Sequence, residues 1–375
     1  MTKRILAIGN FYSSHDRHVL HGAATYARLH GWHITPQYLE QGSRTVQPNR
    51  YDGILIGSLD KRFDRMIARS ALPVAGWSTM REKTPWPRVM SDNAAIGRLI
   101  AQTFLSSGYR NFAYFPDAPG LWSRQRKTAF FSSVEAAGHT VYAGADLADR
   151  GGVPRLASWL KRLPRPLALM LSYDVPAQMV VAACDRASLR IPEDVAIISV
   201  GNDEMVCEII NPPISSVSQL TERIGYQTAE ILDRLMQGAR KVPEFILVPP
   251  GQLITRRSSD STAFDDPLVT DALRLIRAKQ PGLTGVKQVL TQIGVSRMTL
   301  DKRFVAATGS TVAVAIREMR IEKAKQLLST SDLQISRIAA ITGFSSGRHF
   351  SKAFHRFTGK TPTVFRRKEA TRGLR

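Results

Sequence analysis

Asp16, Asp92, Arg126, Asp174 and Asp203 lie where short apolar runs give way to polar loops. A sugar hydroxyl both donates and accepts, so an ionised carboxylate and a guanidinium can hold neighbouring hydroxyls through charge-assisted bonds. Asp174, Asp203 and Arg126 are the leading candidates for such a site, with Asp16 and Asp92 next. Trp77, Trp122, Phe11 and Tyr173 are expected in loops where a ring could stack on the apolar face of a sugar. Each has a plainer alternative: Asp92 and Asp174 could cap helices, Asp203 could serve a turn, Arg126 could pair with a surface acid, and the aromatics could belong to a core.

These residues can converge only if the chain between them forms a sheet with helical crossovers. Strands are expected at Ile5-Gly9, His33-Tyr38, Gly53-Gly57, Phe112-Phe115, Leu167-Leu171, Val195-Val200 and Phe245-Val248. Helices fit between them at His18-Leu29, Ala94-Leu105, Lys127-Ala137, Pro176-Ala187 and Glu222-Gln237. Alternating strands and helices imply an α/β fold with parallel sheets covered on both faces, and ligands then bind beyond the carboxyl ends of the strands. The polar candidates sit at those ends.

The last hundred residues contain an internal echo. Gly294-Val295-Ser296 returns as Gly343-Phe344-Ser345, 49 positions later, while Leu300, Phe304 and Gly309 return as Phe350, Phe354 and Gly359 at an offset of 50. Each copy reads as a short helix, a turn near the glycine and a second helix with a bulky apolar pair at i, i+4, which is helix-turn-helix geometry. Ser296 and Ser345 occupy the expected N-caps. At 100° per residue, turning Leu300 and Phe304 inward sends Met298 and Lys302 outward, with Asp301 at the edge and Arg297 and Arg303 on the flanks. Turning Phe350 and Phe354 inward sends Arg348 and Lys352 outward, flanked by His349 and Ser351. Such a face suits a DNA major groove, where Arg and Lys can donate to guanine N7 and O6. The bland alternative is a solvated basic surface.

The series Ile335, Ile338, Ala339, Gly343, Phe344, Phe350, Phe354, Phe357, Gly359, Thr361, Pro362, Phe365 and Arg366 resembles the signature of the AraC/XylS family of bacterial transcription regulators. Arg320-Ile321, Ala324, Leu327 and Leu328 resemble that family's linking helix. The chain departs from it at Leu290, where members usually carry alanine, and Gly347 is poor helix material. The resemblance places base-reading positions on Met298, Asp301, Lys302, Gly347, Arg348, His349, Ser351 and Lys352.

Residues 4 to 257 resemble the sensor domain of LacI/GalR repressors and periplasmic binding proteins. The resemblance rests on Asp92-Asn93, Arg126 before Lys127-Thr128-Ala129-Phe130, Ile191-Pro192-Glu193-Asp194-Val195, Gly201-Asn202-Asp203-Glu204 and Pro212-Pro213-Ile214-Ser215-Ser216-Val217. It implies a two-lobed sensor that closes around a small sugar. A sensor of this kind ahead of an AraC-type domain is the arrangement of xylose-operon regulators, which implies a pentose effector, an operator DNA partner, a homodimer, and contact with RNA polymerase if the protein activates. The expected organisation is a sensor over 1–257, a linker over 258–266 that begins in the polar run Arg256 to Thr262, a DNA-binding domain over 267–367 whose first helix runs from Pro267 to Lys279, and a basic tail over 368–375.

Composition agrees with a polyanion as partner. The 375 residues include 52 basic and 31 acidic side chains, a net charge of +21. From Phe264 onward there are 21 basic against 8 acidic residues, so +13 of that charge falls on the duplicated segment, as a DNA footprint requires. Two cysteines, Cys184 and Cys207, are too few for a disulfide framework or a four-ligand zinc site and are expected as buried apolar residues. The N-terminal apolar run is too short for a signal sequence and no stretch spans a membrane, so a cytoplasmic, membrane-free protein with neither metal nor cofactor is expected. A sugar-processing enzyme with an accessory DNA-binding module is the competing class. Against it, the chain has no phosphate loop or metal-spaced histidine cluster.

Overall fold

The computed structural model describes all residues except 1, 39–46, 58–60, 78–82, 116–117, 119, 145–151, 261–262, 265, 278–284, 332 and 373–375. The chain first lays down β1 (Arg4–Gly9), α1 (Ser14–Leu29), β2 (His33–Tyr38), β3 (Gly53–Ile56), α2 (Lys61–Ser70), β4 (Val74–Gly76) and β5 (Arg88–Ser91). It crosses into a second lobe made of α3 (Asn93–Leu105), β6 (Asn111–Phe115), α4 (Leu121–Glu135), β7 (Val141–Ala143), α5 (Gly152–Arg162), β8 (Leu167–Leu171), α6 (Ala177–Arg186), β9 (Val195–Gly201), α7 (Glu204–Ile209) and β10 (Ser215–Ser218). It returns to the first lobe through α8 (Thr221–Met236) and β11 (Phe245–Val248), then crosses a third time to β12 (Leu253–Ile254).

Each lobe holds a six-stranded sheet, in the orders β11-β5-β4-β3-β1-β2 and β12-β10-β9-β8-β6-β7. Every pairing is parallel except that of β10 with β12. Unbroken apolar runs such as Leu167–Leu171 are wholly buried because helices cover both faces of the sheet. In the first lobe α1 and α8 touch backbone to backbone. A Cβ on Gly22 would lie 1.9 Å from the Glu222 carbonyl oxygen, so that contact fixes the position of α1.

Seven expected strands are present, and the structure adds β4, β5, β7, β10 and β12 along with α2, α5 and α7. β10 is Ser-Ser-Val-Ser and has no apolar run to announce it; Ser215 and Ser216 are buried, with their hydroxyls bonded inside the lobe. Helix α4 starts at Leu121, six residues before the expected Lys127, so Trp122 lies in its first turn and not in a loop.

The helical part comprises α9 (Pro267–Arg277), α10 (Val286–Ile293), α11 (Arg297–Thr308), α12 (Val312–Thr330), α13 (Ile335–Ile341), α14 (Gly347–Thr358) and α15 (Pro362–Arg372). The expected extension of α9 to Lys279 falls outside the described residues. α15 continues to Arg372 with no break at residue 368, where a tail was expected. Two apolar clusters, one around Leu300 and Phe304 and one around Phe350 and Phe354, both take residues from α12. A 19-residue helix is about 28 Å long, so α12 acts as a spacer between the two motifs.

The repeated glycines end helices: Gly294, Gly309 and Gly359 are C-caps with φ of 76°, 73° and 67°, values that favour glycine. Ser296 caps α11 by accepting from Thr299 N. The second cap is Ser346, which accepts from His349 N at 3.2 Å, and not Ser345. The turn of the second motif is one residue longer, which is why the offset changes from 49 to 50 between the glycine and the apolar pair. Gly347 consequently occupies the first helical position, where its low propensity costs little.

The polar run from Arg256, expected as a linker, is bonded to the second lobe through its described residues. Arg257–Ser259 form a 3₁₀ turn, and Ser258 is fully buried, donating to Ile197 O at 2.7 Å and accepting from Ser215 N at 2.9 Å. Its small polar residues are there because their hydroxyls bond into the end of a sheet.

Candidate ligand cleft and DNA-reading helices

In the first lobe Asp16 sits in the first turn of α1 and is 8% exposed. Its carboxylate accepts from Asn10 N at 2.8 Å and from the Trp77 indole at 2.9 Å, so two of the expected ligand residues are each other's partners. Trp77 is buried, and a Cβ on Gly57 would lie 2.1 Å from its ring; glycine there leaves the indole its slot.

Arg126, on α4 in the second lobe, is 3% exposed. Nε donates to Asn93 Oδ1 at 2.9 Å and Nη1 to Ser172 O at 2.5 Å, while the guanidinium lies 4.8 Å from the Trp122 ring centre. Trp122 meets Tyr173 edge-on at 5.6 Å. Burial lowers the pKa of Arg126 to about 10, opposed by Tyr114 and Asp174, so it remains a cation at neutral pH.

Asp174 is also buried, and its carboxylate is taken up within its own lobe. It accepts from the Ser199 hydroxyl, from Ser216 Oγ at 2.7 Å and from Asp203 N at 2.8 Å. These bonds join the loop after β8 to Ser199 within β9 and Ser216 within β10, and hold the loop that follows β9, where Asn202 adopts a φ of 55°. Asp203 is half-buried, makes no capping bond with its side chain, and lines a cavity of 650 Å³ together with Ser14, Arg17, His18, Ser218 and Glu222. Asp92 caps α3 by accepting from Ala95 N at 2.8 Å, its plainer alternative, while its neighbour Asn93 holds Arg126.

Thus Asp16 with Trp77, and Arg126 with Trp122, Tyr173, Asp174 and Asp203, gather at the carboxyl ends of the two sheets, whereas Asp92 stays in a crossover. Three polar residues there were not expected: His15, Asn93 and Gln219. Gln219 donates to Ser91 Oγ at 3.1 Å and so ties two crossovers together. His15 has its pKa held below 6.5 chiefly by burial, with Asp16 raising it and Arg126 lowering it, so it lies within electrostatic reach of residues from both lobes. His15 was marked in the sequence only by preceding Asp16, Asn93 stood in the Asp92-Asn93 pair that carries the sensor resemblance, and Gln219 had no signal there.

On the candidate DNA-reading helices α11 and α14 the apolar pairs are buried as the periodicity requires, and Met298, Lys302, Arg348, His349 and Lys352 are exposed. Ser351 and Gly347 are half-buried. Asp301 is turned back on the protein: it accepts from Arg297 Nε at 3.3 Å and from Val312 N, at the start of α12, at 3.3 Å. Arg303 is held by both Asp266 oxygens at 2.5 and 2.7 Å. Cys184 and Cys207 are both buried, and burial pushes each thiol up to about 12. Among the described residues, no helix is long and apolar enough to cross a membrane.

A two-lobed parallel-sheet unit with polar residues converging between its lobes, followed by paired helix-turn-helix motifs, defines a class: a transcription regulator with a sensor domain and an AraC-type DNA-binding domain. The family models agree, that of the periplasmic binding protein-like domain matching residues 101–259 and that of the helix-turn-helix domain residues 289–368. More particularly, the chain is similar end to end to the xylose operon regulatory protein of Escherichia coli (strain K12), 29% identical over 381 residues, covering 97% of this chain and 96% of that protein. The protein of the same name from Haemophilus influenzae is 27% identical, covering 97% and 98%. A solved structure of the xylose-binding transcription activator xylR matches 98% of both chains at 27% identity with a TM-score of 0.63. The CelR–cellobiose complex, 22% identical with a TM-score of 0.58, shares the fold over 69% of this chain.

Proposed function

We propose that this regulator takes a pentose, xylose or one close to it, between its lobes and thereby controls operator binding as a cytoplasmic homodimer, more as an activator that meets RNA polymerase than as a repressor. The observation that carries the proposal is the buried Arg126, 4.8 Å from the Trp122 ring centre and within electrostatic reach of Asp174, at the carboxyl end of the second lobe's sheet. In this reading residues 1–257 are the sensor and 267–367 the DNA-binding unit. Asp203 and Arg126 hold sugar hydroxyls, Trp122 packs on the sugar ring, and Asp16, Trp77, Asp92 and Asp174 shape the site. Met298, Lys302, Gly347, Arg348, His349, Ser351 and Lys352 approach base edges, and Asp301 orients Arg297.

The relatives are transcription regulators, and no step of chemistry is needed for the proposed role. Two reading helices spaced by α12 can enter successive major grooves about 34 Å apart on one face of DNA. The test is a thermal-shift screen over pentoses and hexoses followed by operator binding with each hit. A true effector at 100 times its Kd adds about 2.7 kcal/mol to sensor stability. Equal operator affinity with and without every sugar in the screen defeats the proposal.

A further inference from the structure

The connection between sensor and DNA-binding unit is bonded to the second lobe on both sides of residues 261–262. Arg256 donates through Nη1 to Asn202 Oδ1 and Ile214 O, each at 3.0 Å, and through Nη2 to Glu208 Oε1 at 3.2 Å. Its backbone N donates to Ser215 Oγ at 2.8 Å. Asn202 and Glu208 bracket Asp203, so one guanidinium holds the loop before α7, the far end of α7 and the start of the connection.

Farther along, Ala263 N donates to Ser107 O at 2.8 Å, and the Phe264 ring fills the space above Gly108, where a Cβ would lie 2.8 Å from it. Gly108 has a φ of 83°. The same Phe264 packs on the cluster around Leu300 and Phe304. Asp266 then grips Arg303, which lies on α11 itself. A bonded route therefore joins the cleft loop to the first DNA-reading helix.

We propose that the connection, through its described residues 256–260, 263, 264 and 266, is a coupling strap, with Arg256 the residue through which a change at the Asn202–Asp203 loop reaches α11. The idea rests on the sugar-responsive reading and adds to it the place where the two functions are joined. A flexible tether would let the sensor close without disturbing the reading helices. A strap seated on the lobe makes α11 follow the movement of α7, because any shift of Asn202 or Glu208 must either carry Arg256 along or break its bonds.

Three full-length variants decide it: Arg256→Met, Gly108→Ala, and an insertion of Gly-Ser-Gly after Ser259. Neither substituted side chain belongs to the proposed sugar or base contacts. With D-xylose as the probe, each variant keeps its sugar affinity and its sugar-free operator affinity within about threefold of the parent, while the sugar-induced change in operator affinity, about 5–150-fold for ordinary allosteric coupling, falls to less than about twofold. A parent-sized response in the insertion variant overturns the strap, even if Arg256→Met fails to fold.

Amide hydrogen exchange on the parent, without sugar, separates this proposal from the one beneath it. The amides of Arg256, Ser258 and Ala263 are protected if the strap is seated, and exchange at chain-like rates there overturns it whatever the effector proves to be. A protected strap in a parent that no sugar affects leaves the strap standing and removes the sugar reading.

Discussion

Among the acids of the cleft, Asp174 and Asp203 divide the work in opposite ways, and the division is measurable. Asp174 satisfies two hydroxyls and a backbone amide inside its own lobe, so Asp174→Ala strands buried donors at about 1–3 kcal/mol each and should lower Tm sharply. The Asp203 carboxylate makes no capping bond and borders the open cavity. Asp203→Ala should leave Tm nearly unchanged but weaken sugar binding by about 10–150-fold, the worth of a charged hydrogen bond at about 1.5–3 kcal/mol, with basal DNA binding retained. Calorimetric titration beside thermal melts separates the two; equal sugar affinity in Asp203→Ala and the parent overturns the assignment. His15 adds a pH signature. Its folded pKa lies below the ordinary 6.5, so between the two values the unfolded chain holds a proton that the folded one lacks, and stability rises with pH there. This contribution is fully present above pH 6.5 and is lost as pH falls below it. In His15→Gln that part of the Tm–pH slope should be absent, and an unaltered slope counts against a desolvated imidazole at this position. The aspartates could be picked out from their places after strands. Their division of roles could not, because it depends on Ser199 and Ser216, whose hydroxyls carry no periodic signal.

At the scale of elements, the helix-turn-helix pair was the most legible part because glycine, serine and phenylalanine recur there for separate physical reasons: left-handed caps, helix starts and an apolar seam. The one misplacement, Ser345 for Ser346, followed from copying the first turn's length onto a longer second turn. Strands such as β10 stayed hidden because hydrogen-bonded serines replaced apolar residues. The same construction sets two different outcomes for substitutions on α14. Phe354, fully buried against Phe350 and Phe365, should cost about 3–5 kcal/mol as Phe354→Ala and unpack the second motif, visible as a loss of helix signal. Arg348→Ala should leave that signal intact and cost about 1–3 kcal/mol of operator binding, with relaxed sequence preference at the position it reads. If Arg348→Ala binds specific and scrambled DNA as the parent does, α14 is not the reading helix.

For the whole molecule, charge placement argues that DNA affinity and sugar affinity should respond differently to salt. The net +13 beyond residue 263 lies on the helical unit, whereas the cleft couples a cation, Arg126, to neutral and acidic neighbours inside a lobe. The tandem motifs and the alternating sensor could be read from the sequence at this scale. The connection could not, since a run such as Arg256 to Asp260 has the composition of a tether whether or not its hydroxyls find partners, and only the fold brings Ser215 and Asn202 to it. Each phosphate neutralised by Lys or Arg contributes about −0.9 to the slope of log K against log salt for duplex DNA. Lys352 is exposed on α14, and if it meets a phosphate rather than a base, Lys352→Ala should reduce the slope by about 1 and weaken specific and scrambled duplexes alike. If it meets a base, the slope should hold while specificity falls. Sugar binding to a neutral pentose should change little over the same salt range, because no counterions are released when an uncharged ligand enters the cleft. Operator and sugar titrations run side by side from low to high salt test this directly, and a sugar affinity that falls as steeply as the operator's would mean that the cleft's ligand is an anion and not a sugar.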